Sequence, residues 1–153
     1  MWYHKKIRLN VDIYRRPDMP CSITICTKNK KPIFSNTEIA QGISKLLKEI
    51  AYSNNIPIYA YCIMPDHIHL LLSASEKKGI VEFIAEFKSL STRLAWNYNM
   101  QGVIWQKSFY DHFLRKGEDI KEVAIYILNN PVRKGIVQEW NEYKFSGSFV
   151  YDL

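Results

Sequence analysis

Apolar residues recur along the chain with two different periods, and the switching between them lays out a succession of elements. From Cys21 to Thr27, Ile23 and Ile25 alternate with small polar residues, the two-residue period of a half-buried strand. Ser35-Asn36-Thr37-Glu38 has the form of a capping box, with Ser at the N-cap and Glu three residues on. Ile39, Ile43, Leu46, Leu47 and Ile50 then follow at helical spacing to about Ser53, and Asn54-Asn55-Ile56-Pro57 closes that helix. Ile58–Ile63 reads as a second strand, Met64-Pro65-Asp66 as a turn, and the run from His67 to Leu72 as a third strand, pairing with the second as a hairpin. Gly79 opens a second helix with a stripe of Ile80, Phe83, Ile84, Phe87, Leu90 and Leu94. After the Gln101-Gly102 turn, Val103–Phe109 reads as a fourth strand, which Asp111–Lys116 either extends or leaves. A third helix is predicted from about Glu118 to Asn129, stopping before Pro131 because proline disfavours helical backbone in the residue before it.

The order β-α-β-β-α-β-α predicts an α+β fold. Its first six elements form the split βαβ arrangement of a ferredoxin-like sandwich, an antiparallel sheet with two helices on one face. The third helix is then expected to cover the other face. At 153 residues the whole chain, 1–153, is expected to be one domain, with 1–19 a surface N-terminal arm and 136–153 a C-terminal tail. Hydrophobic residues make up 47% and charged residues 24%, as in ordinary globular chains. No apolar run approaches the ~20 residues of a membrane span, and the N-terminus lacks a signal peptide's apolar region, so a cytoplasmic protein with no membrane partner is expected. Cys21, Cys26 and Cys62 show no Cys-x-x-Cys spacing and leave one over in any pairing, which suits a reducing compartment.

Charge narrows the choice of partner. A formal net charge of +6 favours an anion, nucleic acid first. Basic residues cluster at Lys5-Lys6-Ile7-Arg8, Arg15-Arg16, Lys28-Asn29-Lys30-Lys31, Lys77-Lys78 and Arg133-Lys134. Any one cluster alone reads as solvated surface. Together, with ten tyrosines and four tryptophans able to stack on bases, they favour a nucleic-acid groove. Arg15, Arg16, Lys28, Lys30, Lys31, Arg133 and Lys134 are the candidate contacts.

The chemistry concentrates in His67-Ile68-His69. Alternate residues of a strand share a face, so the two imidazoles point the same way, with Cα atoms roughly 6.6 Å apart. Leu71 shares their face, while Ile68, Leu70 and Leu72 take the other. Such spacing lets two imidazoles converge on one cation; an exposed polar face or packed core histidines are the plainer readings. A working metal site also needs a third protein ligand and open positions. Asp66 reads as a turn residue. On the third helix, Ile120, Val123, Ala124, Ile127 and Leu128 form an apolar stripe. Tyr126 and Asn130 lie about 100° from its centre and about 40° from each other, an i, i+4 pair. If that helix crosses the histidine face, Tyr126 can present a hydroxyl beside a cation and Asn130 a carbonyl oxygen to it.

Tyr61-x-x-Met64-Pro65-Asp66-His67-Ile68-His69-Leu70-Leu71-Leu72, then Ile104-Trp105-Gln106-x-x-Phe109, then Tyr126-Ile127-x-x-Asn130-Pro131-Val132-x-x-Gly135 closely resembles the REP-associated tyrosine transposases, of the single-tyrosine, His-hydrophobic-His superfamily. The resemblance runs from about Tyr14 to Phe149. It implies a DNA strand-transfer enzyme acting on single-stranded DNA with hairpin ends through a 5′-phosphotyrosine intermediate. It makes Tyr126 the nucleophile, His67 and His69 the metal pair and Asn130 the third ligand, with Mg²⁺ or Mn²⁺ as cofactor. A monomer acting in cis is expected, with a swapped homodimer the alternative. Ser146 is followed by Gly147 where the family commonly has paired small hydroxyl residues, and the chain stops soon after, so a longer DNA-binding tail is not expected. Two rival readings remain: a non-catalytic, domesticated nucleic-acid-binding relative of ferredoxin-like fold, and a metal-dependent phosphohydrolase using water.

Overall fold

A computed structural model describes residues 11–153; the Lys5–Arg8 cluster and the first part of the expected arm lie outside them. Nine elements follow in order: β1 (Cys21–Cys26), α1 (Thr37–Ser53), β2 (Ile58–Met64), β3 (His67–Leu72), α2 (Ile80–Trp96), β4 (Tyr110–Phe113), α3 (Ile120–Leu128), α4 (Asn130–Arg133) and β5 (Ser146–Gly147). The sheet runs β4-β1-β3-β2-β5 with every pairing antiparallel, so its first four strands have the ferredoxin-like order. Among the described residues, no helix is long and apolar enough to cross a membrane.

The two-residue period of β3 assigns the faces. Ile68, Leu70 and Leu72 are fully buried with Ile23 and Ile25 of β1, beneath the stripes of α1 and α2. Leu71, on the histidine side, packs with Ala60, Cys62 and Met64 of β2 against Ala124, Ile127 and Leu128. The stripe on α3 therefore covers the second face, as expected from the sequence.

Four local expectations need correction. The N-cap of α1 is Asn36, not Ser35: the Asn36 side chain accepts from the backbone N–H of Glu38 and Ile39 at 3.0 and 3.2 Å. Val103–Phe109 is not a strand. It meets the sheet only in isolated bridges, among them Thr27 to Trp105, while Trp105 and Phe109 sink into the core and Lys88 donates to the carbonyls of Gln106 and Ser108. The fourth strand starts at Tyr110 instead. Tyr14, placed by sequence in a surface arm, is fully buried, with its hydroxyl on Asp111 at 2.5 Å and its ring edge-on to Phe113. Finally, the tail supplies a fifth strand, because Ser146 and Gly147 pair with Cys62 and Tyr61.

The Asn36 cap can be checked directly. Asn36→Ala is expected to lower unfolding free energy by ~1 kcal/mol in chemical denaturation, and Ser35→Ala to leave the midpoint unchanged. The reverse ranking would restore the sequence assignment.

Candidate functional site

His67 and His69 stand side by side on the α3 face, and their Nε2 atoms approach to 3.2 Å with the rings nearly perpendicular, at 86°. Each ring is aimed by a bond at its other nitrogen. His67 Nδ1 donates to the Asp66 carboxylate at 2.6 Å, and His69 Nδ1 shares a hydrogen bond with Thr24 Oγ1 at 3.0 Å. Thr24 is the register partner of His69 on β1. Two imidazole nitrogens each ~2.1 Å from one ion lie about 3 Å apart, so the pair already has chelating spacing. Burial pushes His69 down to about 3, with the charges of His67, Arg133 and Lys134 adding to it. That holds its imidazole neutral, the form that ligates metals.

Asp66 and Thr24 are the residues that sequence reasoning missed. Asp66 lies in the turn rather than the strand, so its carboxylate folds back onto the neighbouring ring. Thr24 could be found only from the strand register. Bonds of this kind at the far ring nitrogen fix the tautomer and orientation of metal-binding histidines.

The turn carrying Asp66 is fastened to the basic loop after β1. Thr27 donates to the Asp66 carbonyl from its backbone N–H and its hydroxyl, 3.0 Å each, and the hydroxyl also lies 2.8 Å from the Lys31 carbonyl. Lys28, Lys30 and Lys31 are exposed beside the histidine end of the sheet. Asn29 and Lys30 both hold left-handed backbone there (φ 57° and 52°), which lysine adopts rarely. Arg133 and Lys134 approach from the other side, close enough for their charges to act on His69. Arg15 and Arg16 do not join this group. They precede the opposite end of β1 and are bound to Glu82 and Asp18.

Tyr126 and Asn130 are placed differently from the helical-wheel expectation. α3 ends at Leu128, the backbone turns at Asn129 (φ −82°, ψ 1°), and Asn130 begins α4 immediately before Pro131. Tyr126 is 63% exposed whereas Asn130 is 6% exposed, so they do not share one open side. The Tyr126 ring carries the Arg133 guanidinium 3.8 Å from its centroid, and its hydroxyl makes no hydrogen bond among the described residues. Asn130 keeps a buried side-chain nitrogen without a hydrogen-bond partner. A half-turn of that carboxamide puts its oxygen there, and an unsatisfied buried polar atom calls for a counterpart. Among the described residues no group of three or more His, Cys, Asp or Glu could hold a metal ion, so a third protein donor to a cation on the histidine pair would be of another residue type. The Asn130 amide fits that need.

Comparison with known proteins gives a consistent picture. A family model described as "Transposase IS200 like" matches residues 17–130. A Haemophilus influenzae protein named for the REP-associated tyrosine transposases is 35% identical over 105 residues, covering 61% of this chain and 59% of that protein. The ISDra2 transposase TnpA of Deinococcus radiodurans is 35% identical over 68 residues, 44% of this chain and 48% of its own length. The chain thus spans about half to three-fifths of these two relatives. In fold it is similar to a REP-associated tyrosine transposase solved bound to a REP hairpin, with TM-score 0.73, 20% identity, and coverage of 94% of this chain and 82% of that one.

The state of His69 is open to measurement. An unfolded histidine takes up its proton near pH 6.5, whereas His69 in the fold resists protonation until about pH 3. Below pH 6.5 the unfolded state therefore binds the extra proton, and stability is expected to fall by up to ~1.4 kcal/mol per pH unit from this group. By NMR, the His69 ring resonances are expected to stay flat between pH 5 and 8; a midpoint near 6.5 would rule this out.

Proposed function

Because the chain belongs to the IS200-like transposase family, whose model covers residues 17–130, we propose that it cleaves and rejoins single-stranded DNA at hairpin-associated sites through a phosphotyrosine intermediate. The observation that carries this reading is Arg133: its guanidinium lies 3.8 Å from the Tyr126 ring centroid, and its charge reaches His69. One side chain thus lies against the exposed phenol and acts by its charge on the neutral His69 imidazole.

In this reading His67, His69 and the Asn130 amide would hold a divalent cation, Mg²⁺ or Mn²⁺, which when bound would supply charge neutralisation and orientation of the scissile phosphate. Tyr126 attacks the phosphorus in line. Its oxygen forms the new P–O bond, the bond to the upstream 3′ oxygen breaks, and that fragment leaves with a 3′-hydroxyl. The phenol's proton passes to solvent, to which the side chain is open. Arg133 supplies positive charge where the phosphate oxygens crowd against the ring. Asp66 and Thr24 keep both imidazoles aimed throughout. Because one phosphate ester replaces another, the step is nearly isoenergetic, and a second 3′-hydroxyl can displace Tyr126 without ATP. Lys28, Lys30, Lys31, Arg133 and Lys134 hold the flanking phosphates on both sides of the pair. In this reading the protein acts as a monomer using Tyr126 in cis, with α3 packed on the sheet of its own chain.

A panel of hairpin-bearing single-stranded oligonucleotides labelled at the 3′ end tests this, because the downstream fragment remains on the protein. We expect a labelled covalent adduct on denaturing gels that Tyr126→Phe abolishes. An adduct surviving that change would move the nucleophile elsewhere, to Tyr110 first. Absence of any adduct would leave the non-catalytic binding reading.

The cation has its own test. EDTA is expected to stop adduct formation, and Mg²⁺ or Mn²⁺ to restore it. Asp66→Asn is expected to raise the Mn²⁺ concentration needed for half-maximal adduct by about 10–100-fold, the usual cost of losing a partner behind a ligating histidine. Unchanged Mn²⁺ dependence would remove Asp66 from the site.

A further inference from the structure

Residues 143–149 wrap around the β2 edge of the sheet and join its two faces. Tyr143 donates its hydroxyl to the Ile63 carbonyl at 2.6 Å and packs in the cluster beneath α3. Phe145 and Phe149 pack instead against the core beneath α1 and α2. The crossing is close at Gly147, where a Cβ would lie 3.3 Å from the Tyr61 ring and hydroxyl and the ring would have to yield slightly.

Where this segment meets α1, the surface opens into a cleft of about 710 Å³ on the face opposite the histidines. Lys45 and Lys48, one turn apart on α1, line one wall and Lys144 the other. Tyr61, Phe145 and Phe149 supply aromatic surface, with the Tyr61 and Phe149 rings stacked at 4.7 Å and 29° and Lys48 Nζ 5.9 Å from the Phe149 centroid.

Lysines on a helix are ordinarily a solvated face, but two features set these apart. No Asp or Glu lines the cleft, and none of the three lysines has an ion-pair partner among the described residues. Arg15, Arg16 and Lys78, by contrast, each sit on a carboxylate. The cleft also exceeds what a lone phosphate fills and pairs its charge with aromatic rings, the combination that holds single strands by backbone and base together.

We propose that this cleft is a second nucleic-acid site, distinct from the histidine centre, that takes the backbone and bases of single-stranded DNA. Lys45, Lys48 and Lys144 neutralise phosphates there, and the half-buried Phe145 and Phe149 rings receive bases. The proposal rests on the reading of the protein as DNA-binding but not on its catalysis. A strand leaving the histidine face reaches the cleft by following residues 143–149 around the sheet edge.

The probe is fluorescein-labelled (dT)20, titrated with the full chain by anisotropy across a salt series. The variant K45Q/K48Q/K144Q changes only solvent-facing ammonium groups, and circular dichroism checks that its melting is unchanged. Its affinity at low salt is expected to fall at least tenfold, and its log–log salt slope to flatten by about 2, since each single-strand phosphate contact contributes roughly 0.7. A 5-iodouracil version of the probe is expected to photo-crosslink to the peptide containing Phe145 and Phe149. Unchanged affinity and slope, or crosslinks confined to other peptides, would overturn the proposal. The Tyr126 adduct reads catalysis separately: adduct formation with (dT)20 binding indifferent to the lysines sinks the cleft alone, whereas lysine-dependent binding without adduct sinks catalysis alone.

Discussion

The alternation of β3 is the constraint from which the rest follows. A strand between two neighbours must bury something on each face, and its side chains go to the two faces by turns. Ile68, Leu70 and Leu72 enter the main core beneath α1 and α2, which commits His67, His69 and Leu71 to the other side. Leu71 then needs a cover, and the stripe of Ala124, Ile127 and Leu128 supplies it. That one packing requirement brings α3 over the histidine face, and Arg133 beyond its end comes close enough for its charge to act on His69. A one-residue slip of β3 would bury both imidazoles among the isoleucines and expose three large apolar side chains.

The histidines are oriented by the protein itself. Asp66 and Thr24 occupy the two Nδ1 atoms, which leaves the Nε2 atoms facing each other at 3.2 Å. Rings free to rotate would pay rotamer entropy on binding a cation; rings already held pay less. The same turn is locked to the basic loop through Thr27, so Lys28–Lys31 and the Asp66 turn that aims His67 share one support.

Much of this was legible in the chain because it depends on period alone. The helix stripes, the faces of β3, the hairpin around Met64-Pro65-Asp66 and the stop before Pro131 are all local consequences of spacing or of proline's missing donor. What escaped depended on register or on competition between neighbours. Thr24 meets His69 only once β1 and β3 are aligned, and nothing near either residue announces it. Ser35 and Asn36 both suit an N-cap, and the choice fell to Asn36. Val103–Phe109 reads as a strand because of its apolar residues, but Ile104, Trp105 and Phe109 are anchors into the core, while Lys88 satisfies carbonyls that a ladder would otherwise take. β5 is two residues long, too short for any period to reveal.

Net charge points to an anionic partner but does not locate it; the distribution of pairing does. Arg15, Arg16 and Lys78 are held by carboxylates, and the Lys88 ammonium is turned inward onto two carbonyls, where burial lowers its pKa. These cations contribute to the total without offering a phosphate a free partner. Among the described residues, the basic groups that form no ion pair with a carboxylate include Lys28–Lys31, Arg133 with Lys134, and Lys45, Lys48 and Lys144. The first two flank the histidine pair, and the third lies past the sheet edge that residues 143–149 cross. Runs of basic letters identify the first two. The third is assembled from a helix face and a residue about a hundred positions later, so only folding brings it together. On the proposed readings a polymer with evenly spaced charges would use all three at once, because its phosphates continue from one cluster to the next while a small anion would stop at one.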